Sequence, residues 1–367
     1  MAKKVETLLR QWDGETVITR FDHATGAWIF MAIHSTRPGP PVSGGTRMKV
    51  YPDAEAGLQD ALKLSTAMTM KLALAGIAHG GGKTVIALPP DFDPAQRPTL
   101  LRTYGLLLKQ LGGLFLTGPD VGTSPEDMNI IAETGYPYVF SRTPEVGGAG
   151  DSGPGTAVGV LAGIRATCEQ LFGCDCLADR RILVQGTGSV GSALIDMLCQ
   201  AGAEVLFSEV DERAIRRWRD ERGLPFIPAN QVYNTPCDIF SPCALGGILN
   251  PQTISRLQCR AVVGSANNQL TSPTEAQQLQ EKGILYAPDI AVNIGGLMSI
   301  IGMEAEGWSR AEAFERVSRT VDCTLRQVYA LAAAEGLDTH TAALRLADHR
   351  LMQARSKNGG ALFMDWR

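Results

Sequence analysis

The sequence lacks any surplus of positive charge: 34 lysines and arginines stand against 38 aspartates and glutamates, a formal net charge of -4. Neutralising a phosphate backbone requires such a surplus, so nucleic acid is not an expected partner. No uninterrupted apolar run reaches membrane-spanning length, and the opening Met-Ala-Lys-Lys-Val-Glu is not followed by an apolar core of signal-peptide length. A cytoplasmic protein with no membrane partner is expected. A disulfide framework is missing as well, since Cys168, Cys174, Cys176, Cys199, Cys237, Cys243, Cys259 and Cys323 are scattered through a long chain and read as reduced thiols. Cys174 and Cys176 come nearest to a metal pair but have no second Cys/His pair at ligand spacing, so no metal is expected. There is no internal repeat.

What is present is a chain of 367 residues with 44% hydrophobic and 20% charged residues, the proportions of a folded water-soluble protein and a length that suits two domains. Residues 15–21 and 27–35 read as strands, and after a Pro/Gly turn the apolar spacing over 53–70 predicts a helix that Asp53 caps and that ends at Lys71. A strand at 83–88 and helices at 98–111 and 126–132 complete an α+β half. Residues 143–155 turn rich in Gly, Pro, Ser and Asp, as a domain connection does. Beyond a helix at 156–171, strands at 182–185, 204–209, 238–240 and 261–263 alternate with helices at 190–200 and 212–221, the pattern of a doubly wound parallel sheet. Long amphipathic helices at 310–334 and 339–355 close the chain. The expected fold class is therefore α/β, with a catalytic domain of residues 1–148 plus 332–367, a Rossmann-type dinucleotide domain of residues 149–331, and a cleft between them.

The run Gly186-Thr187-Gly188-Ser189-Val190-Gly191 has the form GxGxxG between a strand and a helix. Its glycines allow, in order, a tight turn, close approach of a pyrophosphate to the backbone, and close packing of helix on strand; the helix N-terminus then offers its dipole to the phosphates. Glu209 ends the next strand about twenty residues on, where a carboxylate accepts hydrogen bonds from ribose hydroxyls and repels a 2′-phosphate. NAD is thus favoured over NADP, although Arg213 and Arg216 soften the preference if they turn inward.

Gly80-Gly-Gly-Lys83-Thr84 ends like a phosphate-binding loop, but the first glycine of that motif would fall on Ile77, and a strand follows where a helix is required. Lys71 and Lys83 instead suit convergence on one site. Two adjacent ammonium groups in a partly desolvated site depress each other's pKa, so that one anchors and the other reacts. Asp120 supplies the complementary carboxylate; taken singly, the lysines read as solvated charges and Asp120 as a turn acid.

With these motifs the chain resembles the leucine, phenylalanine and valine dehydrogenases of the glutamate dehydrogenase superfamily. The likeness runs through Gly44-Gly-Thr-Arg-Met48, Asp60-Ala-Leu-Lys-Leu-Ser65, Met68-Thr-Met-Lys71, Gly80-Gly-Gly-Lys83, Asp120-Val-Gly-Thr123, the GxGxxG loop, Cys237-Asp-Ile-Phe-Ser-Pro-Cys-Ala-Leu-Gly246, Gly264-Ser-Ala-Asn-Asn-Gln-Leu270 and Asn293-Ile-Gly-Gly296. The resemblance implies NAD-dependent, reversible conversion of an L-amino acid to its 2-oxo acid and ammonia by a homo-oligomer. It implies that Lys71 binds the substrate carboxylate beside Gly45, that Lys83 activates water, and that Asp120 shuttles protons. It further implies that Asn267 holds the amine or the nicotinamide ribose, that Thr156 meets the nicotinamide end, that Ala244 lies against the cofactor, and that Leu297 and Ile294 form an apolar wall. Glutamate-specific relatives carry lysine where this chain has Ser43, so an acidic side chain would lack its partner. An aliphatic side chain of the leucine, valine or isoleucine kind is expected, with an aromatic one (phenylalanine or tryptophan) as the alternative, and a non-catalytic NAD-binding protein as the reading from another class. His79, just before the glycine run, is read as a packing or turn residue in preference to a proton shuttle.

Overall fold

The computed structural model describes residues 2–354 and divides into two compact units. The first takes residues 2–151, Glu304–Gly307 and residues 348–354; the second takes Ser152–Met303 and Trp308–Ala347. Residues 332–347 therefore group with the second unit, not the first as the sequence suggested, and 355–367 lie outside the described residues. The reason is continuity of one helix, Arg310–Glu335, which packs along Gly153–Phe172 in the second unit and carries the chain past residue 332 without a break.

In the first unit, α1 (Ala2–Gln11) precedes strands β1 (Thr16–Asp22), β2 (Ala27–Ser35) and β3 (Val42–Val50), then α2 (Ala54–Ala75), β4 (Gly80–Leu88), α3 (Arg97–Gln110), β5 (Phe115–Pro119) and α4 (Pro125–Gly135). The sheet order is β1-β2-β4-β3-β5, with β1, β2 and β4 antiparallel to their neighbours in turn and β3 parallel to both β4 and β5. Strand alternation assigns its two faces. Ile29, Met31 and Ile33 of β2 point with Val42, Met48, Ile86 and Phe115 toward Leu101, Tyr104, Leu108, Met128 and Ile131 of α3 and α4. Phe30 and Ala32 point with Val85 and Ala87 toward Leu58, Ala61 and Leu62 of α2. Both faces are buried, at roughly 1.5–3 kcal/mol per large apolar side chain removed from water. Asp53 caps α2 as expected, accepting from the Ala56 amide at 2.8 Å.

Two strands of this sheet, β3 and β5, were not read in the sequence, and β4 was read only from residue 83. β3 contains Ser-Gly-Gly, a run of low strand propensity, and β4 starts at Gly80, three residues earlier than its apolar run. Contact explains the glycines. A β-carbon at Gly44 would lie 2.0 Å from the Gly82 carbonyl oxygen, and one at Gly81 would lie 2.4 Å from the Thr69 backbone of α2.

The second unit runs α5 (Gly153–Phe172), β6 (Arg181–Gln185), α6 (Ser189–Gln200), β7 (Glu204–Ser208), α7 (Glu212–Arg216), β8 (Ile239–Pro242), α8 (Pro251–Arg256), β9 (Ala261–Val262), α9 (Thr274–Glu281), β10 (Leu285–Tyr286), α10 (Asp289–Val292), α11 (Gly295–Ala305), α12 (Arg310–Glu335) and α13 (Thr339–Ala354), with residues 304–305 of α11 and 348–354 of α13 grouped with the first unit. Its sheet, β10-β9-β8-β6-β7, is parallel throughout, as the alternating pattern predicted. Leu183, Leu206, Phe240 and Val262 face Val232, Leu249, Ile254, Leu279 and Tyr286 in one continuous core. The strand order reverses between β6 and β8. In open parallel sheets such a reversal opens a crevice beyond the carboxyl ends of the two strands.

Candidate active site

The carboxyl end of β6 carries the glycine loop. The Gly186 amide donates to the Ser208 carbonyl at 2.8 Å and the Cys243 amide to the Gln185 carbonyl at 2.7 Å, which seats the loop between the ends of β7 and β8. Gly186 has φ +91, a conformation that side chains rarely adopt, and a β-carbon there would lie 2.6 Å from that of Ala244. Ala244 thus abuts the first loop glycine. A β-carbon at Gly191 would fall 1.9 Å from the Gly186 carbonyl oxygen, so α6 packs against the turn only because that residue has no side chain. The N-cap of α6 is Gly188, exposed with Ser189, and no side chain caps its first turn. A helix start left in this way suits an anion.

Glu209 follows β7. Its Oε2 accepts from the Thr187 amide at 2.7 Å and hydroxyl at 2.9 Å, and its Oε1 accepts from the Val210 and Asp211 amides at 2.6 and 3.2 Å. Burial would raise its pKa, but these donors outweigh burial and hold it below the ordinary glutamate value. The sequence reading gave Glu209 a role toward the ribose and missed that it also ties the glycine loop to the β7 end. Elsewhere on this unit, Thr156 on α5 donates to the Ser152 carbonyl at 3.0 Å and abuts Gly296 at the start of α11. Asn267 is exposed, and its Oδ1 accepts from the buried Asn293 at 2.9 Å. Leu297 is half-buried on α11, whereas Ile294 is fully buried.

On the first unit, the pleat of β3 places Ser43, Gly45 and Arg47 on the face toward α2, the face that also carries Lys83 of β4. Lys83 is buried, and its Nζ lies 3.0 Å from Asp120 Oδ2, just beyond β5. The same oxygen accepts from Arg47 Nε at 2.9 Å. Arg47 Nη1 also reaches Asp60 on α2 at 3.1 Å, and the Tyr51 hydroxyl donates to Asp60 at 2.5 Å. Charges therefore alternate along Lys83, Asp120, Arg47 and Asp60. Burial alone would raise the Asp120 pKa; the charges of Lys83 and then Arg47 overcome it and pull it down to about 2. Arg47 is likewise opposed by burial and raised by Asp120 and Asp60. Thr123 fixes the turn, donating to the Thr46 carbonyl at 2.8 Å and accepting from the Asp120 amide at 3.0 Å.

Gly45 sits at the centre of this group. A β-carbon there would be 3.2 Å from Lys83 Nζ and 3.2 Å from the Asp120 β-carbon, so its absence keeps the ion pair open on that side. Lys71 lies half-buried near the end of α2, two residues past Thr69, whose backbone meets Gly81. The immediate partner of Lys83 is thus the carboxylate of Asp120, the residue that the sequence reading set beside the two lysines. Arg47, Asp60 and Tyr51 were also overlooked; alternation along β3 was the one signal that joined Arg47 to Gly45. Ser43 turns its hydroxyl to His79, Oγ to Nδ1 2.7 Å, with both residues buried. Burial lowers the His79 pKa to about 4, and its Nε2 has no partner among the described residues.

Among the described residues there is no cluster of three or more His, Cys, Asp or Glu suited to a metal, and no helix long and apolar enough to cross a membrane. The eight cysteines are free thiols.

Residues 207–359 match the family model described as glutamate/leucine/phenylalanine/valine dehydrogenase, and residues 21–136 match the dimerisation domain of the same dehydrogenases. The chain is 38% identical to a leucine dehydrogenase of Geobacillus stearothermophilus over 95% of its own length and 93% of that protein's. It is 38% identical to a phenylalanine dehydrogenase of Caldalkalibacillus thermarum, over 94% and 93%. Among solved structures, the L-tryptophan dehydrogenase of Nostoc punctiforme superposes with a TM-score of 0.80 at 34% identity, covering 97% of this chain and 100% of that one.

Proposed function

Because this chain belongs to the glutamate/leucine/phenylalanine/valine dehydrogenase family, we propose that it catalyses the reversible, NAD-dependent oxidative deamination of an L-amino acid with a largely apolar side chain, giving the 2-oxo acid and ammonia. The observation that carries this reading is the buried Lys83–Asp120 pair beside Gly45. Binding a dinucleotide alone would require none of these three residues, which speaks against a non-catalytic role. The aliphatic substrates follow the leucine dehydrogenase relatives, and the aromatic alternative follows the phenylalanine and tryptophan enzymes.

The glycine loop, with Gly186, Thr187, Gly188, Ser189, Val190 and Gly191, fits the pyrophosphate of NAD, and Glu209 fits its adenosine ribose. The reversed strand order and the uncapped start of α6 support that fit. Thr156, Ala244 and Asn267 would line the nicotinamide end. Bound there, NAD supplies the acceptor for the hydrogen and two electrons that leave the substrate α-carbon.

The protein contributes position and electrostatics. Lys71 holds the substrate carboxylate, with the Gly45 backbone alongside. Lys83 holds the attacking water and stabilises the oxygen that it becomes on the α-carbon. Asp120 hydrogen-bonds the amine and carries its proton. A carboxylate held near pKa 2 is a weak base, so proton uptake requires Lys83 to exchange Asp120 for an oxygen of substrate or water. Arg47, anchored on Asp60, keeps Asp120 in place through that exchange. Self-association through the first unit accords with the dimerisation-domain match and with the exposed edge strand β1, which bears Phe21 on its surface. A cytoplasmic setting accords with eight unpaired thiols, two of them exposed.

The test is NADH formation on purified protein with a panel of L-amino acids at alkaline pH, repeated with NADP. Turnover of leucine, valine or isoleucine is expected. Turnover confined to phenylalanine or tryptophan selects the alternative, and tight NADH binding without turnover on any amino acid overturns the reading.

A further inference from the structure

Glu304, near the end of α11, is half-buried and belongs with the first unit, although α11 starts in the second. One of its oxygens, Oε1, accepts from the Ser141 amide at 2.7 Å and from the Ala149 amide at 2.8 Å. Those two residues form the neck of a loop, for beside them the Gly150 amide donates to the Arg142 carbonyl at 2.9 Å. Ser141 is fully buried at φ +58, in the left-handed region that a residue with a side chain seldom holds without support. The second unit then begins at Ser152 and ends its first run at Met303, so one carboxylate ties together two places where the chain passes between units. Each of these passages leads to a group of the site. Ahead of Ser141, the Phe140 amide donates to the Thr117 carbonyl at 2.8 Å and the Thr117 amide to the Tyr138 carbonyl at 3.0 Å. That stretch therefore pairs with β5, the strand that runs into Asp120. Behind Glu304, α11 starts at Gly295 and Gly296, where β-carbons would fall 2.2 Å from the Gly155 carbonyl oxygen and 2.4 Å from the Thr156 hydroxyl.

We infer that Glu304 is a positioning residue for hydride transfer: by holding the Ser141–Ala149 neck it fixes the end of α11 to the stretch paired with β5, and so fixes the nicotinamide end relative to Asp120 and Lys83. This rests on the reading of the protein as an amino-acid dehydrogenase. The two bonds converge on a single oxygen, so what the neck requires is an acceptor at the full reach of a glutamate side chain. Aspartate keeps the charge but is shorter by one carbon–carbon bond, about 1.5 Å, which carries both contacts beyond hydrogen-bond length. Glutamine loses the charge and keeps a carbonyl oxygen at the same reach. Burial raises the Glu304 pKa, opposed by the Ala149 and Ser141 amides and then by Arg142, so the site does not depend on a full charge to hold its acceptor. A displacement of about 1 Å between reacting groups costs on the order of 10²-fold in rate, which makes a remote anchor of this kind visible in turnover.

The experiment sets Glu304→Asp against Glu304→Gln, using the amino acid that the wild type oxidises fastest. Glu304→Asp lowers kcat by about tenfold or more, and Glu304→Gln keeps most of it. NADH affinity is unchanged in both, because the glycine loop is seated on β6, β7 and β8 and not on this neck. The primary isotope effect on kcat with α-deuterated substrate rises in Glu304→Asp, since poor alignment makes hydride transfer the slow step; a mere loss of folded protein would leave it unchanged. Hydrogen exchange over residues 141–149 is faster in Glu304→Asp than in Glu304→Gln, a readout that needs no turnover. Wild-type kcat in Glu304→Asp, equal damage in both variants, an unchanged isotope effect or NADH affinity lost in step with turnover overturns the inference, as does equal exchange over the neck. A wild-type protein that binds NADH yet oxidises no amino acid overturns instead the dehydrogenase reading, and exchange over 141–149 still decides whether Glu304 holds the neck.

Discussion

Asp120→Asn preserves the shape of the side chain at the centre of the ion network and removes its charge. In the wild type one oxygen, Oδ2, accepts from Lys83 Nζ at 3.0 Å and from Arg47 Nε at 2.9 Å, with Lys83 7% and Asp120 15% exposed. The fall of its pKa from 3.8 to about 2, won by Lys83 and Arg47 against the opposing effect of burial, corresponds to about 2 kcal/mol in favour of the carboxylate. The sign follows from linkage. Because the folded value is depressed, this stability is present above the unfolded pKa of 3.8 and is lost as pH falls through about 2. Removing one member of a buried pair costs roughly 3–5 kcal/mol when the partner is stranded. Here Arg47 keeps Asp60 at 3.1 Å, so the lower figure of about 2 kcal/mol is expected at neutral pH. Urea unfolding followed from neutral pH down to about pH 2 measures both quantities: the variant starts lower and loses less on acidification. Turnover falls by about 10²–10⁴ through loss of the proton carrier, while NADH affinity is retained. Wild-type turnover in Asp120→Asn, or an acid limb as steep as that of the parent, refutes the assignment of this carboxylate.

Lys83→Ala abolishes turnover and leaves NADH binding intact by fluorescence titration, since the glycine loop belongs to the other unit; loss of NADH binding would sink that division. Glu209→Ala lowers the ratio of kcat/KM for NAD over NADP, and it also weakens binding of both cofactors, because the amide and hydroxyl of Thr187 lose their acceptor. Unchanged selectivity would mean that another group reads the ribose. His79 makes the fold acid-sensitive in a different window. Its folded pKa of about 4 lies below the unfolded 6.5, so its neutral form is favoured, stability is full above 6.5, and about 3 kcal/mol is lost as pH falls toward 4. His79→Gln flattens the wild-type unfolding free energy in that range; an unaltered slope would show that the ring is accessible to protons in the folded chain.

Sequence alone determined the features that depend on neighbours along the chain. The loop from Gly186 to Gly191 is legible because turn, close approach and helix start all fall within six consecutive residues, and the capped start of α2 is legible because Asp53 acts three residues ahead. The parallel sheet of the second unit followed from alternating segments whose period is local. Lys83 and Asp120 were singled out by their motifs, yet nothing in their spacing said that they bond to each other, or that Arg47 completes the pair from a strand 73 residues before Asp120. β3 itself was illegible. Two consecutive glycines read as a turn, and they become a strand only because the Gly82 carbonyl and Lys83 Nζ fill the space where side chains would stand. The role of Ser43 was visible as a missing lysine, but its partner His79 could not be read, because a hydrogen bond across 36 residues depends on strand pairing. Local conformation is set by short-range sterics and hydrogen bonds, and these the residues carry with them. Charge pairing, burial and the pKa values that follow arise only when pleated strands bring distant residues to one face, and that the tertiary structure decided.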